Sequence, residues 1–157
     1  MAHKQLVSVD IAGGNLAFVY NLDFSVGPNQ PNRKDDVQLV QLCLQQIYTH
    51  PTVGAGTLPG GYKIETDGSC GPITRNAIWH IQTYLQRISG GQVYADGVIG
   101  PITLPFSSGR YVRSLIWMNW LLMRAIGPGR FEGLPNDSIT PTLLQERLST
   151  TVIIKVN

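Results

Sequence analysis

Charge is scarce in this chain. Asp, Glu, Lys and Arg make up 14% of its 157 residues, against roughly 25% in an ordinary soluble domain. Counted together with glycine, the hydrophobic residues reach about 54%, above the usual 45–50%. Part of the surface is therefore expected to face another molecule rather than water. The 12 basic and 10 acidic residues leave a formal charge of +2, with no basic run anywhere. Phosphate neutralisation needs clustered Lys and Arg, so the composition argues against a nucleic-acid partner.

Cysteine is scarce too. Cys43 and Cys70 form no Cys-x-x-Cys, and His3, His50 and His80 are scattered. A zinc site needs three or four converging ligands, so neither a metal nor a cofactor is expected. The two thiols either form a disulfide or lie buried as small apolar groups. Long hydrophobic runs are missing. The most apolar window, Leu115 to Met123, carries Asn119 in its middle and falls well short of the ~20 residues of a membrane span. The N-terminal residues lack the apolar stretch and cleavage site of a signal peptide. The expectation is a protein made in the cytoplasm, able to leave it only by a route that reads no such signal. Catalytic signatures are absent as well. Glu65, Glu132 and Glu146 are the only glutamates, none in a recognisable acid/base context, and no nucleophile elbow or papain-like pattern occurs. No catalytic residue is assigned.

What is present begins with alternation. Leu6, Val7, Val9 and Ile11, then Ala12-Gly13-Gly14-Asn15, then Leu16, Phe18, Tyr20 and Leu22 read as a hairpin. A strand is expected over 151–156, joining that hairpin in one sheet, because a lone hairpin is marginal in water. A first helix begins near Asp35-Asp36 and ends at Pro51. Its apolar face is Val37, Val40, Leu44, Ile47 and Tyr48, with Gln38, Gln41 and Gln45 opposite. A glycine-rich loop runs from Thr52 to Lys63. A second helix starts at Pro72 and runs to about Ile88, with Ile73, Ala77, Ile81, Tyr84, Leu85 and Ile88 as its apolar arc. A third, over about 109–126, is apolar nearly all round and is expected to be central or gripped on two sides. Thr140-Pro141 caps a short helix ending near Leu148. The fold class is mainly α with a small β-sheet (α+β): a hairpin extension over 1–30, a helical core over 31–130, and a short helix and strand over 131–157 packing back on one compact unit.

The chain also repeats itself. Asp67-Gly68-Ser69-Cys70-Gly71-Pro72-Ile73-Thr74 recurs as Asp96-Gly97-Val98-Ile99-Gly100-Pro101-Ile102-Thr103. In each copy Asp-Gly makes a turn with positive φ at glycine, an apolar residue plugs the core, and Gly-Pro starts a helix. These copies resemble the peptidoglycan-binding domain found beside many bacterial cell-wall hydrolases. Val37, Val40, Gln41 and Leu44 are similar to that family's first-helix pattern, and Ala77-Ile78 with Ile81-Gln82 to its second. The resemblance covers roughly residues 33–104. It implies a compact three-helix core and a wall-binding role. Four features depart from the pattern: Cys70 stands where a large aromatic plug is usual, Pro105 follows the second copy closely, the loop from Pro51 to Lys63 is long, and the strands lie outside it.

Asp67 and Asp96 could suggest calcium or a hydrolytic carboxylate pair. Each loop offers only one carboxylate, however, and the repeat already explains both as turn formers. Trp79 lies on the polar face of the second helix, amid Arg75, Asn76, Gln82, Thr83 and Gln86. Either it stacks on a sugar or covers a peptide, or the hairpin or third helix packs over it. Tyr62 and Tyr94 flank the repeat loops, and Arg75 can meet a stem-peptide carboxylate or be solvated. Tyr62, Arg75, Trp79, Gln82 and Tyr94 are the candidate ligand contacts. Asp67, Gly68, Gly71, Pro72, Asp96, Gly97, Gly100 and Pro101 are the structural motif. Trp117 and Trp120 read as core or interface, and Cys70, like Ile99, is expected to be buried. The leading expectation is a non-catalytic module that binds peptidoglycan glycan or stem peptide beside a protein partner. The alternatives are an adaptor of a phage or contractile secretion particle, self-associating or docking through exposed apolar surface, and a small wall hydrolase.

Overall fold

The computed structural model describes residues 1–103 and 110–153, apart from the side chains of 110–113 and 153. Strands β1 (His3–Ile11) and β2 (Gly14–Asn21) pair antiparallel. Only Ala12 and Gly13 form the turn, with φ of 48° and 81°. Two successive positive φ values match the right-handed strand twist of a tight hairpin. The turn is shorter than expected, since Gly14 and Asn15 already belong to β2. Strand β3 (Thr151–Ile153) pairs parallel to β1, giving the order β2-β1-β3. Hairpin and C-terminal strand thus share one sheet, and the expected continuation beyond 153 lies outside the described residues.

Five α-helices are described: α1 (Lys34–Thr49), α2 (Pro72–Ile88), α3 (Arg110–Ile126), α4 (Pro128–Glu132) and α5 (Thr142–Leu148). The fold is mainly α with a small β-sheet. Helix α2 has the expected bounds, because Pro72 fixes its first turn and Gly90-Gly91 lie just past its end. The expected start of the third helix at 109 is outside the described residues. Helix α4 was not anticipated: Gly127-Pro128-Gly129 reads as a break, yet Gly127 takes a φ of 89° and Pro128 opens a new turn. Among the described residues no helix is long and apolar enough to cross a membrane.

The central helix is α1. Every residue from Asp36 to Leu44 is buried, and α1 contacts α2, α3 and α5. This corrects the expectation that Gln38, Gln41 and Gln45 lie on an open polar face, since Gln38 and Gln41 are buried and Gln45 is half-buried. Burying an amide is tolerable only if its hydrogen bonds are remade. Asp36 is buried as well and accepts from the N–H groups of Asp23 (2.9 Å) and Phe24 (3.0 Å). Asp35 accepts from the Ala2 N–H at 2.8 Å. The first-turn acids of α1 thereby tie down both ends of the hairpin. Burial raises the Asp36 pKa, and its two backbone donors act against that rise.

Side-chain amides join sheet to helices. Asn119, buried in α3, accepts from the Tyr20 N–H (2.8 Å) and donates to the Tyr20 carbonyl (3.0 Å), so it pairs with β2 as another strand would. Asn21 treats Ile102 in the same way, accepting from its N–H at 2.7 Å and donating to its carbonyl at 2.9 Å. The Tyr20 hydroxyl donates to the carbonyls of Phe131 and Glu132, and its ring packs edge-on against Phe131 at 5.1 Å. Asn119→Leu keeps the branched shape of the side chain but strands two buried backbone groups, each worth about 1–3 kcal/mol. It is expected to lower unfolding stability by roughly 2–5 kcal/mol in denaturant titrations. A variant as stable as the wild type would show that the Asn119 clamp carries no stability.

Candidate functional site

Two glutamines hold the two copies of the repeat in the same manner. Gln41 of α1 accepts from the Gly68 N–H (2.8 Å) and donates to the Asp67 carboxylate (2.9 Å) and the Ser69 carbonyl (3.0 Å). Gln82 of α2 accepts from the Gly97 N–H (2.8 Å) and donates to Asp96 (3.2 Å) and the Val98 carbonyl (2.8 Å). Asp67 and Asp96 each accept from the backbone N–H two residues on, at 2.9 and 3.1 Å. The Ser69 N–H and the Gln41 amide hold the Asp67 carboxyl below its ordinary range. Gly68 and Gly97 have φ of 80° and 81°, the left-handed conformation that the turn needs and that glycine takes without strain. Among the described residues no three His, Cys, Asp or Glu side chains converge as a metal set.

The copies differ downstream. In the first, Thr74 lies beside the Gln41 amide at 3.1 Å. In the second, Ser114 stands beside Gln82 at 3.4 Å, while Thr103 precedes the start of α3 altogether. Ile99 is fully buried and exchanges both backbone hydrogen bonds with Val26, at 2.8 and 2.9 Å. Cys70, its counterpart, is only half-buried, which corrects the expectation of a core plug. Among the described residues no β-bridge reaches it, and Arg75 lies alongside, its Nε–H donating to the Cys70 carbonyl at 3.1 Å. Cys43 is buried, and both thiols are free.

The long loop does more than connect. Its inner side buries Val53, Ala55, Leu58 and Ile64, while Tyr84 donates to the Val53 carbonyl (3.1 Å) and Gln45 to that of Ile64 (3.1 Å). Its outer side faces α2 across a cleft of about 270 Å³, lined by Leu58, Pro59, Tyr62, Ile73, Asn76, Trp79 and His80. Trp79 is 55% exposed and Tyr62 58%, so neither the hairpin nor α3 covers the indole. A Cβ on Gly60 would lie 2.7 Å from the Tyr62 ring. Glycine is therefore what lets that ring fold back on the loop. No charged side chain lines the cleft.

The candidate contacts thus part company. Tyr62 and Trp79 share the cleft, and Arg75, Gln82 and Tyr94 do not. Gln82 was placed with Trp79 on an exposed face, but it is fully buried and spent on the second turn. Tyr94 is 47% exposed and flanks the other repeat loop. Sequence reasoning missed Ile73, which was assigned to the core arc yet is 39% exposed because the loop leaves it open. It also missed His80, whose Nδ1 lies 2.6 Å from the Tyr48 hydroxyl. The spacing of Asn76, Trp79 and His80, three and four residues apart on one helix face, was the available signal.

Comparison with protein-family models, with curated proteins and with solved structures finds no match for this chain. The chemistry therefore rests on the cleft, which offers ring faces, an amide and an imidazole for non-covalent binding. The thiols supply a check on the surrounding packing. Burial pushes Cys43 up to about 12. It raises Cys70 less, because Arg75 favours the thiolate there. A thiol reagent added to native protein at pH 8 is expected to label Cys70 and leave Cys43 unmodified until unfolding, as read by peptide mass. Equal labelling of both would contradict the buried position of Cys43.

Proposed function

We propose that this protein is a non-catalytic module that binds bacterial cell wall through the cleft between Tyr62 and Trp79. One observation carries the reading: two large aromatic rings stand exposed on either side of a single uncharged cleft. Exposing an indole to water forgoes about 1.5–3 kcal/mol of burial, and a ring face presented beside an amide and an imidazole suits a flat, hydroxylated, neutral ligand. The repeat that resembles peptidoglycan-binding domains frames one end of this cleft, since Ile73 belongs to its first copy. That resemblance is the reason for proposing cell wall rather than another glycan. The partner protein that supplies catalysis, and delivery to the periplasm or wall, belong to the same proposal.

Sedimentation with insoluble sacculi tests it. Wild-type protein is expected in the pellet, and Trp79→Ala, shown by circular dichroism to be folded, at least about tenfold less so; a tenfold loss corresponds to about 1.4 kcal/mol. Pelleting is expected to persist at raised salt, because a net charge of +2 with dispersed residues releases few counterions. No soluble fragments are expected to be released. Wild-type protein that stays in the supernatant, yet co-purifies with a secretion or phage component, would replace this reading with that of an assembly adaptor.

A further inference from the structure

A second cleft adjoins the first along α2, and the two meet at one side chain. His80 lines both, and the neighbouring cleft is further lined by Thr57, Thr83, Gln86 and Arg87. Arg87 is the only charged residue on its wall. The ion pairs among the described residues are Met1–Asp23 and Arg130–Asp137, so no described carboxylate neutralises Arg87. Its guanidinium rests over the Tyr84 ring at 5.5 Å, and Tyr84 is itself anchored to Val53. The cation is thus held near the helix surface rather than dispersed in solvent. The Tyr48 hydroxyl, whose pKa burial raises, lies 2.6 Å from His80 Nδ1 and fixes the orientation of the ring on the wall shared by the two clefts.

Resting on the wall-binding reading, we infer that the two clefts are adjacent subsites for one glycan strand, with a neutral sugar between Tyr62 and Trp79 and a carboxylate-bearing sugar at Arg87. The first cleft is small and uncharged, and its 270 Å³ lies below the ~300–1,000 Å³ of sites for drug-sized ligands. It suits a single neutral ring. The second holds one cation and no anion, so it is complementary to a single negative charge. His80 and Arg87 are two helical turns apart, roughly 10 Å along the axis, about the reach of a disaccharide. In peptidoglycan the carboxylate that close to a neutral ring is the lactyl group of the muramic acid residue itself. The free carboxylates of a stem peptide lie several bonds further out. A free lactyl carboxylate exists only where the stem peptide has been removed by amide hydrolysis. The reaction that supplies this ligand is therefore an amidase step.

Calorimetry with three probes tests the inference: N,N′-diacetylchitobiose, the disaccharide of N-acetylglucosamine and N-acetylmuramic acid, and the same disaccharide carrying its stem peptide. The peptide-free muramic disaccharide is expected to bind about tenfold more tightly than chitobiose, the size of one charge-assisted hydrogen bond. Arg87→Gln is expected to abolish that difference, and Trp79→Ala to weaken both sugars. Equal affinity of wild-type protein for the two sugars overturns the carboxylate subsite. Tighter binding of the peptide-bearing form, or binding of free stem peptide alone, overturns the glycan assignment while the wall-binding reading stands. Failure to bind any probe together with failure to pellet with sacculi removes both.

Discussion

A primary amide carries its acceptor and its donors on separate atoms of one plane, so it can accept from a backbone N–H and donate to a backbone carbonyl at once. Five of them among the described residues do so. Asn21, Asn32 and Asn119 each take both polar groups of a single residue, Ile102, Gly27 and Tyr20 respectively. Gln41 and Gln82 each take an N–H from one repeat glycine and the carbonyl of the residue after it. Every one of these backbone stretches lies outside a regular ladder or at its edge. Without a partner, each buried group there costs about 1–3 kcal/mol. The low charge of the chain and its richness in buried amides are two sides of one solution.

The rest of the structure follows from these clamps. Asn119 closes the free edge of β2 against α3, so the small sheet is fastened to the helices rather than left as a marginal hairpin. Asn21 and the Val26–Ile99 bridge fix the path of the second repeat, and Gly27 presses so close that a Cβ there would lie 2.5 Å from the Gly97 carbonyl oxygen. Gln41 sets the first turn and with it the start of α2. Helix α2 then presents Ile73, Asn76, Trp79 and His80 toward the long loop, whose own anchors come from Tyr84 and Gln45. A rigid helix facing an anchored loop is a preorganised wall for a ligand, which lowers the ordering cost of binding.

Much of this was legible in the sequence where a residue's chemistry admits one role. Pro72 could only begin a helix and Asp-Gly could only turn the chain, whereas the polar arc left open whether another element covers Trp79, and its 55% exposure is the structure's answer. Legibility failed where helical periodicity was read as polarity. Gln38, Gln41 and Gln82 sit on faces that arithmetic assigns to solvent, but loops return to cover them and their amides bond those loops. Ile73 failed in the opposite sense, because the loop from Pro51 to Lys63 stops short of covering it. Cys70 was judged by its repeat partner Ile99, yet among the described residues Ile99 is bridged to Val26 and Cys70 has no such bridge. His80 gained its place from Tyr48, far away in sequence. Such tertiary pairings leave no periodic trace in a single chain.

Hydrogen exchange at the clamped amides tests the central claim most directly. In native protein the N–H groups of Tyr20, Gly27, Gly68, Gly97 and Ile102 are expected to exchange as slowly as the middle of α1, although none of them has a helical bond. Gly13 and Gly56, left-handed glycines in open turns, supply the fast reference. Slow exchange at all five, with Gly68 alone accelerated in Gln41→Leu, is the predicted result. Exchange of Gly68 and Gly97 at the rate of Gly13 would mean that the amides decorate turns which hold themselves, and the account would fail at its foundation.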